Sequence, residues 1–133
     1  ALYRFGCDLG LAFQLQDDLL DVYGDPATFG KELGGDIANN KKTYMLINAM
    51  TEATGNDAIE LKRWLADNEP AHRADKITAV RNIYDRLGIA QKAEKAIAQY
   101  TWQSLEWLEK VPMDDDARRA FRNLATMLVG RKK

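Results

Sequence analysis

The chain has 133 residues, 46% of them hydrophobic and 29% charged, with three prolines and one cysteine. A chain this long buries roughly two-thirds of its unfolded surface, so it supports one core without disulfide staples, and the expected domain is the whole of 1–133. Nineteen basic and 20 acidic residues leave a net charge of −1, which excludes an overall field for holding nucleic acid or an anionic membrane.

No apolar run approaches the roughly 18 residues of a membrane span, and no signal-peptide pattern opens the sequence, so the expected location is cytoplasmic, without membrane insertion. A lone Cys7 and a lone His72 exclude a thiolate or imidazole zinc cage. Cys7 reads as a small core residue and His72 as a solvated surface residue.

Apolar residues recur at three- and four-residue steps almost throughout, and nothing alternates convincingly as a strand, so the class is all-α, a bundle of about six helices. The first helix covers Ala1 to about Tyr23, with Leu2, Phe5, Leu9, Ala12, Gln16, Leu20 and Tyr23 along one side. Gly24, Asp25 and Pro26 end it. A polar, glycine-rich loop follows to about Asn40. The second helix carries Tyr44, Ile47 and Met50 before Gly55, and the third carries Ile59, Leu61 and Leu65 before Glu69-Pro70. The fourth runs from about Arg73 to Leu87, with Ile77, Val80, Ile83, Tyr84 and Leu87 as its stripe and Gly88 as its stop. The fifth covers about Ile89 to Leu108 and the sixth Asp114 to Leu128. Trp64, Trp102 and Trp107 sit at helical spacing and are assigned to packing.

Chemistry concentrates in two stretches. In Phe13-Gln14-Leu15-Gln16-Asp17-Asp18-Leu19-Leu20-Asp21, Asp17 and Asp21 are only about 40° apart around a helix, with Gln14 between them and Asp18 at the edge of the arc. Three carboxylates on one face repel unless something positive lies between them. Mg²⁺ suits such a site, because it takes oxygen ligands and shares them with substrate phosphates. A solvated acidic face is the plain alternative. Asp114-Asp115-Asp116 is equally acidic, but it follows Pro112 and starts a helix, where capping accounts for it.

The second stretch is Gly30-Lys31-Glu32-Leu33-Gly34-Gly35-Asp36, then Asn39-Asn40-Lys41-Lys42-Thr43. Glycines admit a ligand close to backbone, lysines donate to phosphate oxygens, and Asp36 adds a carboxylate. Taken singly, Asp36 or Asn39 reads as a cap of the next helix, and Lys41 and Lys42 as wet. The spacing of a P-loop is absent.

Together these stretches closely resemble the trans-isoprenyl diphosphate synthases around their second aspartate-rich motif. The resemblance implies the C-terminal half of an isoprenoid-synthase-type fold, with this chain a C-terminal fragment, inactive alone, of a longer and homodimeric prenyltransferase. It implies Mg²⁺ held by Asp17 directly and by Asp18, Asp21 and Asp36 directly or through waters. Lys31 and Lys41 then hold diphosphate, Gln14 lines the pocket and Phe13 lies beside the prenyl chain. The implied reaction is head-to-tail condensation of an allylic diphosphate with isopentenyl diphosphate, with Asp17, Asp18, Asp21, Lys31 and Lys41 as the catalytic group. Arg131-Lys132-Lys133 resembles the basic tail of some relatives, although a solvated terminus is the simpler reading. Three alternatives stay open: a class I terpene cyclase fragment, a catalytically silent partner subunit, and a plain helical interaction module. Product chain length is not encoded in these residues.

Overall fold

The structure, a computed structural model, describes residues 1–24 and 33–129. Its α-helices are α1 (Leu2–Tyr23), α2 (Gly35–Ala38), α3 (Tyr44–Glu52), α4 (Gly55–Ala66), α5 (Arg73–Leu87), α6 (Ile89–Glu109) and α7 (Asp115–Val129), with a 3₁₀ turn at Pro70–His72 before α5. No described residue lies in a strand. The all-α class therefore holds, and the helix not anticipated is the single turn α2, hidden in a stretch whose glycines read as loop.

The described residues gather into two compact units, residues 1–17 with 94–129 and residues 18–24 with 33–93. In the first unit α1 buries Phe5, Leu9 and Ala12, the face set by its four- and three-residue spacing. Phe5 meets Phe121 of α7 edge to face, with ring centroids 5.8 Å apart. Cys7 is exposed rather than in the core, because two steps of about 100° beyond Phe5 carry it round to the far side of the helix.

Asp114 caps α7 as expected, its Oδ1 accepting the Ala117 N–H at 2.7 Å. At the end of α6, Arg118 reaches back from α7, donating from Nη1 to the carbonyls of Leu108 (2.7 Å) and Val111 (3.3 Å) and from Nη2 to that of Met113 (3.3 Å). Trp102 is 63% exposed and flanks an apolar groove of about 560 Å³ with Ile97, Leu105 and Val129. Packing assigned from spacing fails there, since the residue lies off the buried Ile97–Ser104–Leu108 line of α6. Trp107 is half-buried between the Arg4 guanidinium and the Lys110 ammonium, 5.7 and 4.8 Å from its ring centroid.

The second unit is organised by α5, which packs against α2, α3 and α4. Val80, Ile83 and Tyr84 of α5 join Val22, Ile37, Met45, Leu46, Ala49, Leu61 and Ile89 in one buried core, with Ile77, Leu87 and Trp64 against its edge. Gly88, left-handed at φ 67°, ends α5 where expected.

The expected face of α3 is corrected. Met45, Leu46 and Ala49 are buried, whereas Ile47 and Met50 are 52% and 54% exposed. Tyr44-Met45-Leu46-Ile47 is apolar all round, so periodicity alone does not choose the face. On α4, Leu61 is buried but Ile59 is 68% exposed.

Candidate functional site

Two backbone devices bring the acidic face of α1 to the following turn. Gly24 closes α1 by donating to Leu20 O at 2.8 Å, and a Cβ there would stand 2.5 Å from that oxygen, so only glycine fits. After the undescribed residues, Gly34 N–H donates to the Asp21 carbonyl at 2.7 Å. The Asp21 side chain then accepts the Asp36 N–H through Oδ2 at 2.9 Å. Asp21 therefore holds the start of α2 through both its backbone and its carboxylate.

Asp36, so placed, shares a cation with α1. The Lys41 ammonium lies 3.8 Å from Asp18 Oδ1 and 3.9 Å from Asp36 Oδ2, with Asp18 almost fully buried and Lys41 half-exposed. Lys41 reaches that position because its N–H donates to the Asp36 carbonyl at 2.9 Å, folding the chain back on α2. The positive charge that the acidic face requires is thus supplied, at Asp18 and Asp36, by the chain itself. Such a half-wet pair contributes little stability; its importance is that it fixes where a cation is welcome.

Behind the pair lies a cavity of about 10 Å³ bordered by Val22, Asp36, Lys41, Thr43 and Tyr84, room for about one water. Burial, and then the Asp36 charge, push the Tyr84 hydroxyl far above its ordinary pKa of 10.

The remaining predicted residues fall as follows. Asp17, Phe13 and Gln14 lie on α1 in the first unit, Asp17 and Phe13 half-buried and Gln14 exposed. Lys31, Gly30 and Arg131-Lys132-Lys133 lie outside the described residues. The cap of α3 is neither Asp36 nor Asn39 but Thr43, whose Oγ1 accepts the Leu46 N–H at 3.1 Å. His72 is exposed, as expected, and its Nδ1 lies 2.8 Å from Asp67 Oδ2. The Glu69 N–H, with His72 second, holds the Asp67 carboxyl below the usual range.

Two residues escaped the sequence reading. Asn40 adopts φ 56°, a left-handed geometry that asparagine tolerates, and its Nδ2 donates to Leu65 O at 2.8 Å. Its buried Oδ1 has no hydrogen-bond partner. Lys76 is only 2% exposed, its ammonium donating to the carbonyls of Asp67 (3.0 Å) and Ala38 (3.4 Å). Burial lowers its pKa from 10.5. The Asn-Asn-Lys run gave a faint turn signal for Asn40; nothing in Ala74-Asp75-Lys76-Ile77 marks the lysine as buried.

Among the described residues, no group of three or more His, Cys, Asp or Glu side chains is arranged to hold a metal ion. The donor chemistry nevertheless fits Mg²⁺. Asp18 and Asp36 are hard oxygen donors converging on a cation, and Mg²⁺ characteristically combines one or two carboxylates with waters and phosphate oxygens.

Known proteins resemble this chain in sequence and in fold. Residues 1–83 match the polyprenyl synthetase family. A short chain isoprenyl diphosphate synthase from Methanothermobacter thermautotrophicus is 33% identical over 132 residues, covering 99% of this chain and 39% of the relative. Among solved structures, a geranylgeranyl pyrophosphate synthase superposes with a TM-score of 0.85 at 39% identity, over 98% of this chain and 41% of that one. The geranylgeranyl pyrophosphate synthase of Corynebacterium glutamicum, crystallised with isoprenyl diphosphate and magnesium, gives a TM-score of 0.83 at 32% identity, over 97% and 36%. The chain thus spans about two-fifths of the length of these relatives.

Proposed function

The chain belongs to the polyprenyl synthetase family, and from that premise we propose that it supplies the second aspartate-rich half of a prenyltransferase site. The other half belongs to the portion of the relatives that this chain does not span. The proposed reaction is condensation of an allylic diphosphate with isopentenyl diphosphate: the allylic C–O bond breaks and diphosphate departs, the C=C bond of isopentenyl diphosphate attacks the allylic carbon, and the resulting tertiary cation loses its C2 proton to the departed diphosphate, forming the new double bond.

What carries the reading is the meeting of Asp18 and Asp36 on the Lys41 ammonium, 3.8 and 3.9 Å away, one turn along α1 from Asp21, which anchors the Asp36 backbone. Asp17, Asp18, Asp21 and Asp36 would hold Mg²⁺, Asp17 directly and the others directly or through water. The ion, when bound, supplies electrophilic assistance to diphosphate departure. Lys41, with Lys31 earlier in the same glycine-rich stretch, would bind diphosphate oxygens and orient the leaving group. A mobile ammonium on a flexible stem suits that task, because it can exchange carboxylate for phosphate partners. Gln14 would line the pocket, and Phe13 would lie along the prenyl chain. The resemblance extends the proposal to one helical domain working within a cytoplasmic homodimer.

Calorimetric titration of inorganic diphosphate into the chain tests this. Binding is expected with Mg²⁺ and not with EDTA, to be abolished by Asp17→Ala, and to weaken about tenfold in Lys41→Met. Equal binding with and without Mg²⁺, or none in the wild-type chain, would refute it.

A further inference from the structure

Helix α5 grips the Asp36-bearing turn from behind at both of its ends. At the first, Ile77 packs so closely on Gly34 that its Cγ2 would lie 2.5 Å from a Cβ added there. At the second stands Lys76. The carbonyls of the turn can be followed one by one: Gly34 O takes the Ala38 N–H, Gly35 O that of Asn39, Asp36 O that of Lys41 and Ile37 O that of Asn40. Ala38 O is the last carbonyl of α2, and its donor is the Lys76 ammonium, 3.4 Å away. The same ammonium donates to Asp67 O at 3.0 Å, tying the end of α2 to the segment that follows α4.

Keeping a charge at a position 2% exposed costs hydration that two carbonyls only partly replace. A methionine would fill similar space without that cost, so packing alone gives no reason for a lysine here. The Ala38 and Asp67 carbonyls do give a reason. Ala38 lies inside the turn that the Lys41 N–H closes on the Asp36 carbonyl, so an anchor on the Ala38 carbonyl holds that turn from within.

We propose, on the reading of the site given above, that Lys76 is a positioning residue for the diphosphate and metal site, holding α2 so that Asp36 and Lys41 face Asp18. It touches neither ligand and acts through the Ala38 carbonyl. Its removal leaves the core of α5 in place but lets the turn from Gly34 to Lys41 open.

Site-resolved amide hydrogen exchange on the 133-residue chain reads this without any ligand. In Lys76→Met, the amides of Asp36, Asn39 and Lys41 are expected to exchange about tenfold faster, the change that loss of one hydrogen bond from a charged donor brings. Those of Ile83 and Tyr84 keep their protection, and Lys76→Arg, which restores a buried donor, recovers most of it at the turn. Should Lys76→Met fail to fold, Lys76→Gln keeps one donor and is expected to give a smaller change at the same amides. Unchanged exchange at Asp36, Asn39 and Lys41 overturns the proposal, as does a loss spread evenly over α4 and α5, the mark of plain structural support.

Diphosphate titration with Mg²⁺ separates this from the functional reading. A wild-type chain that binds, with Lys76→Met weaker by about fivefold or more, supports both. A wild-type chain that does not bind, with the exchange change still present, sinks the functional reading and leaves the clamp on α2 standing. A mutant that binds as wild type overturns the positioning role.

Discussion

Gly34→Ala is the sharpest probe of how α2 is seated. The residue has φ 87°, and an added Cβ would lie 2.5, 3.0 and 3.1 Å from Cγ2, Cδ1 and Cγ1 of Ile77. The left-handed backbone costs an alanine about 1–2 kcal/mol. The collision adds about 1–3 kcal/mol of overpacking, because a β-branched side chain in a helix has one strongly preferred χ1 and cannot swing Cγ2 aside. The expected loss is therefore about 3 kcal/mol, read as a lowered urea midpoint with an unchanged m-value. Ile77→Ala alone, trimming a half-buried residue, is expected to cost about 2 kcal/mol. In the double variant the collision is gone, so the combined loss falls short of the sum by at least about 1 kcal/mol. Strict additivity, or a Gly34→Ala loss under about 0.5 kcal/mol, would refute the seating of α2 on α5.

Two further perturbations test other parts of the chain. Asp114→Ala removes the acceptor of the Ala117 N–H and is expected to cost about 1 kcal/mol, whereas Asp114→Asn, an equally good cap, costs almost nothing; thermal unfolding of the two variants decides it. Burial raises the hydroxyl pKa of Tyr84, and burial followed by the bond to Asp85 raises that of Tyr23, both from 10.0. Each group keeps its proton in the folded chain where the unfolded chain loses it. Their stabilisation is thus complete below about pH 10 and lost as pH climbs toward the folded values. Lys76, lowered by burial from 10.5, acts in the opposite sense, adding stability as pH approaches its unfolded value. Urea midpoints measured between pH 9 and 11 should fall for the wild type and fall less steeply for Tyr84→Phe; identical slopes would contradict the assignment.

Much of this architecture is written locally. Gly88 and the Val80-Ile83-Tyr84-Leu87 spacing mark the end and the inner face of α5, and Asp114 after Pro112 marks the start of α7. Local signals fail where they are degenerate. Helix α3 is apolar around its first turn, so Ile47 was as good a core candidate as Met45. Trp102 has the right spacing but lies off the buried line of its helix.

The acidic face of α1 and its lysine-bearing neighbour were legible because helix geometry converts sequence spacing into angle. What spacing does not hold is which partner each carboxylate finds. Asp21 meets the Asp36 amide 15 residues on, and Lys76 meets Ala38 across 38 residues; the second pairing exists only once α5 has packed on α2.

The corner after α6 is built differently from the one after α5, which relies on a left-handed glycine. Lys110 to Met113 contain no glycine, and two of their carbonyls, those of Val111 and Met113, are gathered with that of Leu108 by the planar fork of Arg118. The instruction for the bend is therefore stored downstream of the bend. Evolution is free to rewrite the intervening side chains, but an Arg-to-Lys exchange at position 118 would trade a fan of fixed donors for a point charge and leave the joint slack.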